Sequence, residues 1–254
     1  MQPKSPLSPG WHQAQKELAA KDFLVSVKIQ GGLGNQCFIA AYALSKGCRT
    51  FDISNYDTDK LRRYELDQYD LDVELVRDPN AEQGYFQDER LFDKELVYNL
   101  FRLPKGQPND ECLKMANRIQ SAKDSCLIGV RRADYLWPER INYHGVLGWD
   151  YYKEAIKRLK CIPQMFVFTD DIPWARQTMP FQIVDVNGPN DKAWDIWLMS
   201  LCRHAICANS TFHWWGAWLG ADRNGGTVVA PKKWFANEQV NAECSLVPER
   251  WIRV

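Results

Sequence analysis

Apolar and polar positions along this chain follow two alternating rhythms. From residue 194 onward, Trp194, Trp197, Leu198, Leu201 and Cys202 recur three and four apart, the spacing of one face of a helix. Residues 205–208 are short and continuously apolar, which predicts a buried strand. Asn209, Ser210 and Thr211 then put small polar side chains where a new helix begins, and residues 212–219 are apolar again. The same alternation runs through the rest of the chain. Strands are predicted at 23–29, 126–130, 165–169 and 181–186, and helices at 37–45, 89–98, 111–121 and 151–159. Residues 1–20 read as a loose arm with a short helix at 13–20. Residues 103–110 carry two prolines and a glycine and read as a linker. The boundary falls there, between a domain at 1–108 and one at 109–254. Strand–helix alternation in both halves predicts an α/β fold with two Rossmann-like domains.

Composition narrows the class. The chain has 254 residues, 45% hydrophobic and 25% charged, as expected of a globular protein. Its 32 basic and 32 acidic side chains cancel, which gives no support for non-specific nucleic-acid binding. Cys37, Cys126, Cys202 and Cys207 sit in apolar runs with no CxxC among them, so buried free thiols are expected. With His12, His144, His204 and His213 they show no metal-ligand spacing. No stretch reaches the ~18 apolar residues of a membrane span, and the first residues do not read as a signal peptide. The expected setting is reducing and cytoplasmic.

Candidate chemistry gathers at predicted strand ends. Gly31, Gly32 and Gly34 follow the first strand and precede a helix, a pattern that lets a backbone approach a phosphate or sugar closely. Asp52 stands where the ribose partner of a dinucleotide would be. However, Cys37 replaces the third glycine, and polar Asn35 and Gln36 occupy the turn, so an NAD site is the weaker reading. Asp57-Thr58-Asp59 is formally a DxD, but Lys60, Arg62 and Arg63 follow it and a solvated loop is expected. Arg131 and Arg132 leave the strand at 126–130, where a guanidinium fork matches phosphate oxygens and Asp134 can hold the fork. Asp170 and Asp171 end the next strand and suit ribose hydroxyls or guanine N–H groups, or a cap on the following segment. Ser210 and Thr211 read either as an ordinary helix cap or as the edge of an anion site. Trp214, Trp215 and Trp218 read as core.

The combined strings resemble the alpha-1,2-fucosyltransferase family, its bacterial members in particular. These are GGLGNQ at 31–36 followed by Phe38 and its alanines, YELD at 64–67, GYFQ at 84–87, RRADY at 131–135 and FTDD at 168–171. LMSLCRH at 198–204, ANSTFHWWGAWL at 208–219 and APKKWF at 230–235 complete the series. The resemblance implies a GT-B fold, with two Rossmann-like domains facing each other across a cleft. It implies donor GDP-fucose, a galactose-terminated acceptor, inversion at fucose C1, and no metal or other cofactor. Arg131 and Asn35 would be the catalytic pair, at the diphosphate and the transferred sugar. Gly32, Gly34, Gln36, Arg132, Asp134, Asp170, Asp171, Asn209, Ser210 and Thr211 would bind the donor. Peripheral contact with the inner face of a membrane is compatible with this reading.

Two positions depart from the family pattern. The histidine expected before x-Arg-Arg is Gly129, and the glycine expected before Asp134 is Ala133. Loss of that imidazole leaves open a catalytically weak or silent binding protein. For the acceptor proton, His144, Asp134, Glu139 and a donor phosphate oxygen can each be drawn as the base, and the sequence selects none.

Overall fold

The structure is a computed structural model and describes residues 25–161 and 163–254. The predicted arm at 1–20, its helix at 13–20 and the first residues of the strand at 23–29 lie outside that range.

The first lobe is built on a small parallel sheet of β1 (Val27–Lys28), β2 (Thr50–Asp52) and β3 (Glu74–Val76), in that order. Helix α1 (Leu33–Ser45) connects β1 to β2. It starts four residues earlier than the apolar rhythm predicts, because Gly32 adopts an extended N-cap and Leu33 is already buried. Gly34, Asn35 and Gln36 therefore stand in a helical first turn. The helix predicted at 89–98 is displaced to α2 (Lys94–Phe101), since Asp93 caps it by accepting from the Glu95 and Leu96 N–H groups at 3.0 Å each.

The second lobe opens with α3 (Asp110–Ser121) and continues as six parallel strands. They are β4 (Ser125–Val130), β5 (Gln164–Thr169), β6 (Gln182–Ile183), β7 (His204–Ile206), β8 (Val228–Ala230) and β9 (Ile252–Arg253). Their spatial order is β6-β5-β4-β7-β8-β9, which is the Rossmann order 3-2-1-4-5-6. Helices α4 (Pro138–His144), α5 (Trp149–Lys157), α6 (Ile172–Thr178), α7 (Lys192–Ser200), α8 (Thr211–Ala217) and α9 (Glu238–Ala242) complete the lobe. Every residue of β4 is buried, as a central parallel strand covered on both faces must be. Leu127 packs to one side with Trp214 and Trp215, while Cys126, Ile128 and Val130 pack to the other with Tyr152. The architecture is thus two-lobed α/β of the GT-B type.

The lobes share one core. Phe38 of α1 meets the rings of Trp214 and Trp215 of α8 at 4.6 and 4.9 Å between centroids. Trp214, Trp215 and Trp218 are almost wholly buried, and each indole N–H has a partner: Leu246 O, Gly34 O and Glu89 Oε2 respectively. All eight cysteines are free, with Cys37, Cys126, Cys202 and Cys207 buried as predicted. No helix among the described residues is long and apolar enough to cross a membrane.

Candidate active site

In a doubly wound sheet the strand order reverses once, and the crevice at that point is the natural ligand site. Here the reversal lies between β4 and β7. The segments leaving those two strands are Arg131–Tyr135 and Asn209–Thr211. They face the glycine turn after β1 across a cleft of about 840 Å³, within the ordinary range for a small-molecule site.

Two close approaches fix the cleft floor. A Cβ on Gly34 would come within 2.5 Å of the Phe212 nitrogen and 2.6 Å of the Thr211 carbonyl carbon. Only glycine lets the first turn of α1 rest directly on the start of α8. Trp215 Nε1 donates to Gly34 O at 2.8 Å and Thr211 Oγ1 bonds Asn35 Oδ1 at 2.8 Å, so the contact is tied by hydrogen bonds as well. Gln87 Nε2, from the GYFQ string, donates to the same Asn35 oxygen at 2.9 Å.

Of the residues singled out in the sequence, Gly32, Gly34, Asn35, Arg131, Asp134, Asp170, Ser210 and Thr211 all line this cleft. Four others do not, and local geometry explains each. Arg132 lies past the end of β4, where the backbone has left the extended conformation. Its side chain is held away from the cleft lining, meets Asp171 Oδ2 at 3.1 Å and lies over the Trp174 ring at 4.1 Å. Asp171 is turned away from Asp170 and caps α6 by accepting from the Trp174 N–H at 3.1 Å. Gln36 is fully buried. Its amide donates to Gly31 O and Arg63 O and accepts from the Glu65 N–H, which leaves nothing to offer a ligand. Asn209 is also buried, and its Nδ2 joins the carbonyls of His144 and Trp234 at 2.8 and 3.2 Å.

Gly129 has a reason to be glycine. A Cβ there would fall 2.4 Å from His213 Cγ. The space that a side chain at 129 would enter is held by an imidazole projecting from α8. His213 is buried and its Nδ1 has no hydrogen-bond partner. Burial first, and then the charge of Arg131, push its pKa down to about 3, against a smaller upward pull from a hydrogen bond to the Phe168 backbone. The ring is neutral at neutral pH. His144, stacked on Tyr135 at 4.1 Å, is pushed down to about 4, by burial first and Arg140 second.

At the mouth three arginines converge on one carboxylate, while Asp59, Glu65, Asp185 and Asp195 also line the cleft. Asp134 accepts from Arg131, Arg140 and Arg62, the last at 3.0 Å from the opposite lobe. Arg131 also reaches Asp170 at 2.7 Å. Arg140 and Arg62 escape a motif search because nothing in their spacing links them to Asp134. Asp195 is a further cleft carboxyl that the sequence did not single out. It lies on α7, accepts from Asn187 Nδ2 at 2.7 Å, and is pushed up to about 6 by burial.

Rival readings lose their residues to structural work. Asp52, the ribose acid of a dinucleotide site, is fully buried and accepts from Ser54 and from the Asp78 N–H. In the formal DxD, Asp57 forms a two-pronged pair with Arg77, whereas Asp59 lines the cleft and accepts from the N–H groups of Leu61 and Arg62 through Oδ1. Asp124, Cys161 and His204 lie close enough to suggest a metal site at the far end of the sheet. Yet His204 Nδ1 accepts from the Thr227 N–H at 3.0 Å, so the proton of the neutral ring sits on Nε2, the nitrogen that faces the other two groups. That tautomer opposes coordination.

Comparison with known proteins agrees with this picture of the second lobe. Residues 109–254 match the family model of glycosyl transferase family 11. The O-antigen biosynthesis glycosyltransferase WbnK of Escherichia coli is 28% identical, over 89% of this chain and 99% of that protein. The alpha-1,2-colitosyltransferase of Escherichia coli is 31% identical, over 76% of this chain and 69% of that protein. Among solved structures, the fucosyltransferase NodZ from Bradyrhizobium is a distant likeness, with 14% identity and a TM-score of 0.42 over 79% of this chain and 94% of that one. The family model spans more than half of the sequence, and the chain belongs to glycosyl transferase family 11.

Proposed function

We propose that this glycosyltransferase moves L-fucose from GDP-fucose to the 2-hydroxyl of a terminal β-galactoside, with inversion at fucose C1 and without a metal ion. The observation that carries the reading is the position of Arg131. It stands at the carboxyl end of β4, beside the point where strand order reverses, and faces the glycine turn and Asn35 of the other lobe. A nucleotide diphosphate at that point would meet a guanidinium on one side and closely approachable backbone on the other.

The chemistry follows from where charge develops. As the bond between C1 and the leaving oxygen breaks, negative charge grows on the β-phosphate. Arg131 binds that charge more strongly in the transition state than in the ground state, which lowers the barrier. Ser210 and Thr211 would frame the diphosphate from the start of α8. Asn35, held by Thr211 and Gln87, would stand near the transferred sugar. Asp195 would accept from base N–H groups once ionised, above about pH 6. Of the bases considered, Asp134 is occupied by arginines and Glu139 lies outside the cleft wall. His144, with its pKa near 4, is a weak proton acceptor. A phosphate oxygen of the departing diphosphate is the remaining acceptor for the proton.

A second reading concerns the sugar. The 31% identical relative is named for alpha-1,2-colitosyl transfer, which suits the same linkage with a different donor. A transfer assay in EDTA with GDP-fucose and GDP-colitose, against lactose and O-antigen-like acceptors and with linkage analysis, separates the two. Colitosyl transfer alone would replace the fucosyl reading. GDP binding without transfer to any acceptor would favour a silent binding protein.

A further inference from the structure

Asp134 is almost wholly buried and is shared by three guanidinium groups from three segments of chain. Arg131 and Arg140 belong to the second lobe, while Arg62 crosses from the first. Arg62 is built into this position. Asp59 Oδ1 accepts from the main-chain N–H groups of Leu61 and Arg62 at 2.8 and 3.0 Å, which turns the chain toward the cleft. Its stem then lies over Gly32, where an added Cβ would be 3.8 Å from Arg62 Cδ and Nε.

The charge count is unequal. Three guanidiniums face two carboxylates, Asp134 and Asp170, although Asp59, Glu65, Asp185 and Asp195 also line the cleft beside Lys192. The donor count is more unequal still, because each guanidinium carries five N–H groups and a carboxylate has two oxygens. The arginine side chains keep 28% (Arg62), 21% (Arg131) and 32% (Arg140) of their surface exposed, and all three line the cleft. A diphosphate brings more oxygens and more charge than Asp134, and planar forks suit it well.

On the reading that the cleft takes a GDP-sugar, we propose that Arg62 is a donor-binding residue supplied across the cleft by the first lobe. With Arg140 it completes a clamp on the diphosphate around Arg131, and Asp134 holds the three forks in place while their remaining N–H groups meet the diphosphate.

Calorimetric titration of GDP, with guanosine as the ligand lacking phosphate, tests this on the intact chain and on Arg62→Ala and Arg62→Lys. Arg62→Ala is expected to weaken GDP about 10- to 100-fold and guanosine less than about 3-fold, with Arg62→Lys between, since a point charge replaces a fork. Equal losses for both ligands, or no loss for GDP in either folded variant, would overturn the assignment while leaving the GDP-sugar reading intact. Failure of the unaltered chain to bind GDP would remove both.

Discussion

His213 and Gly129 form a single unit at the back of the cleft, since the ring fits only where no Cβ competes for the space. The ring also has a thermodynamic signature. The unfolded chain takes up a proton on histidine near pH 6.5, but folded His213 does so only near 3. Between those values the unfolded state binds more protons, so stability falls as the pH falls, by up to ~1.4 kcal/mol per pH unit from this group. His144 acts in the same direction down to about 4. His213→Asn is therefore expected to flatten the pH dependence of the unfolding free energy between pH 4 and 6, measured by urea denaturation. An unchanged slope would show that the ring is not held neutral by its surroundings. Arg131 carries the sharper kinetic prediction. Arg131→Ala should lower the transfer rate by about 10²–10³, equivalent to about 3 kcal/mol or more, with the fold retained. Near-normal transfer by that variant would remove Arg131 from the central role.

Between elements, the decisive contact is α1 on α8. Gly34→Ala would place a methyl within 2.5 Å of backbone, where no side chain can move aside. We expect a loss of about 1–3 kcal/mol or more in stability, with activity falling further because the cleft floor is displaced. Chemical denaturation alongside the transfer assay checks this, and an unperturbed variant would mean the two helix starts are looser than described. The elements themselves were largely legible in the sequence. Long apolar rhythms and continuous apolar runs marked α3, α5, α7, β4 and β5, because buried surface dictates those periods. The direction of individual polar side chains was not legible. Arg131 and Arg132, or Asp170 and Asp171, look equivalent as neighbours in sequence, yet past the strand ends one of each pair lines the cleft while Arg132 pairs with Asp171 and Asp171 caps α6. Gln36 and the Nδ2 of Asn209, both expected to serve the donor, are instead taken up by backbone groups.

For the whole molecule, the cleft is a junction between lobes with a common core. Lys192 joins Glu65 at 2.7 Å, Arg62 joins Asp134, and Trp215 reaches Gly34, so three different interactions cross it. None of these pairings could be read from spacing, since each links residues far apart in the chain. They show why Arg62 is not legible in the sequence while Arg131, standing at a strand end, is. Family membership fixes the class of reaction, and the proposed donor use rests on the arginines gathered where strand order reverses. The most direct measurement is fucose transfer from GDP-fucose to a β-galactoside in the presence of EDTA, with the product linkage determined. Metal-independent formation of an alpha-1,2 linkage is the expected result. GDP-fucose left unused with every galactoside acceptor, or a rate abolished by EDTA, would contradict it.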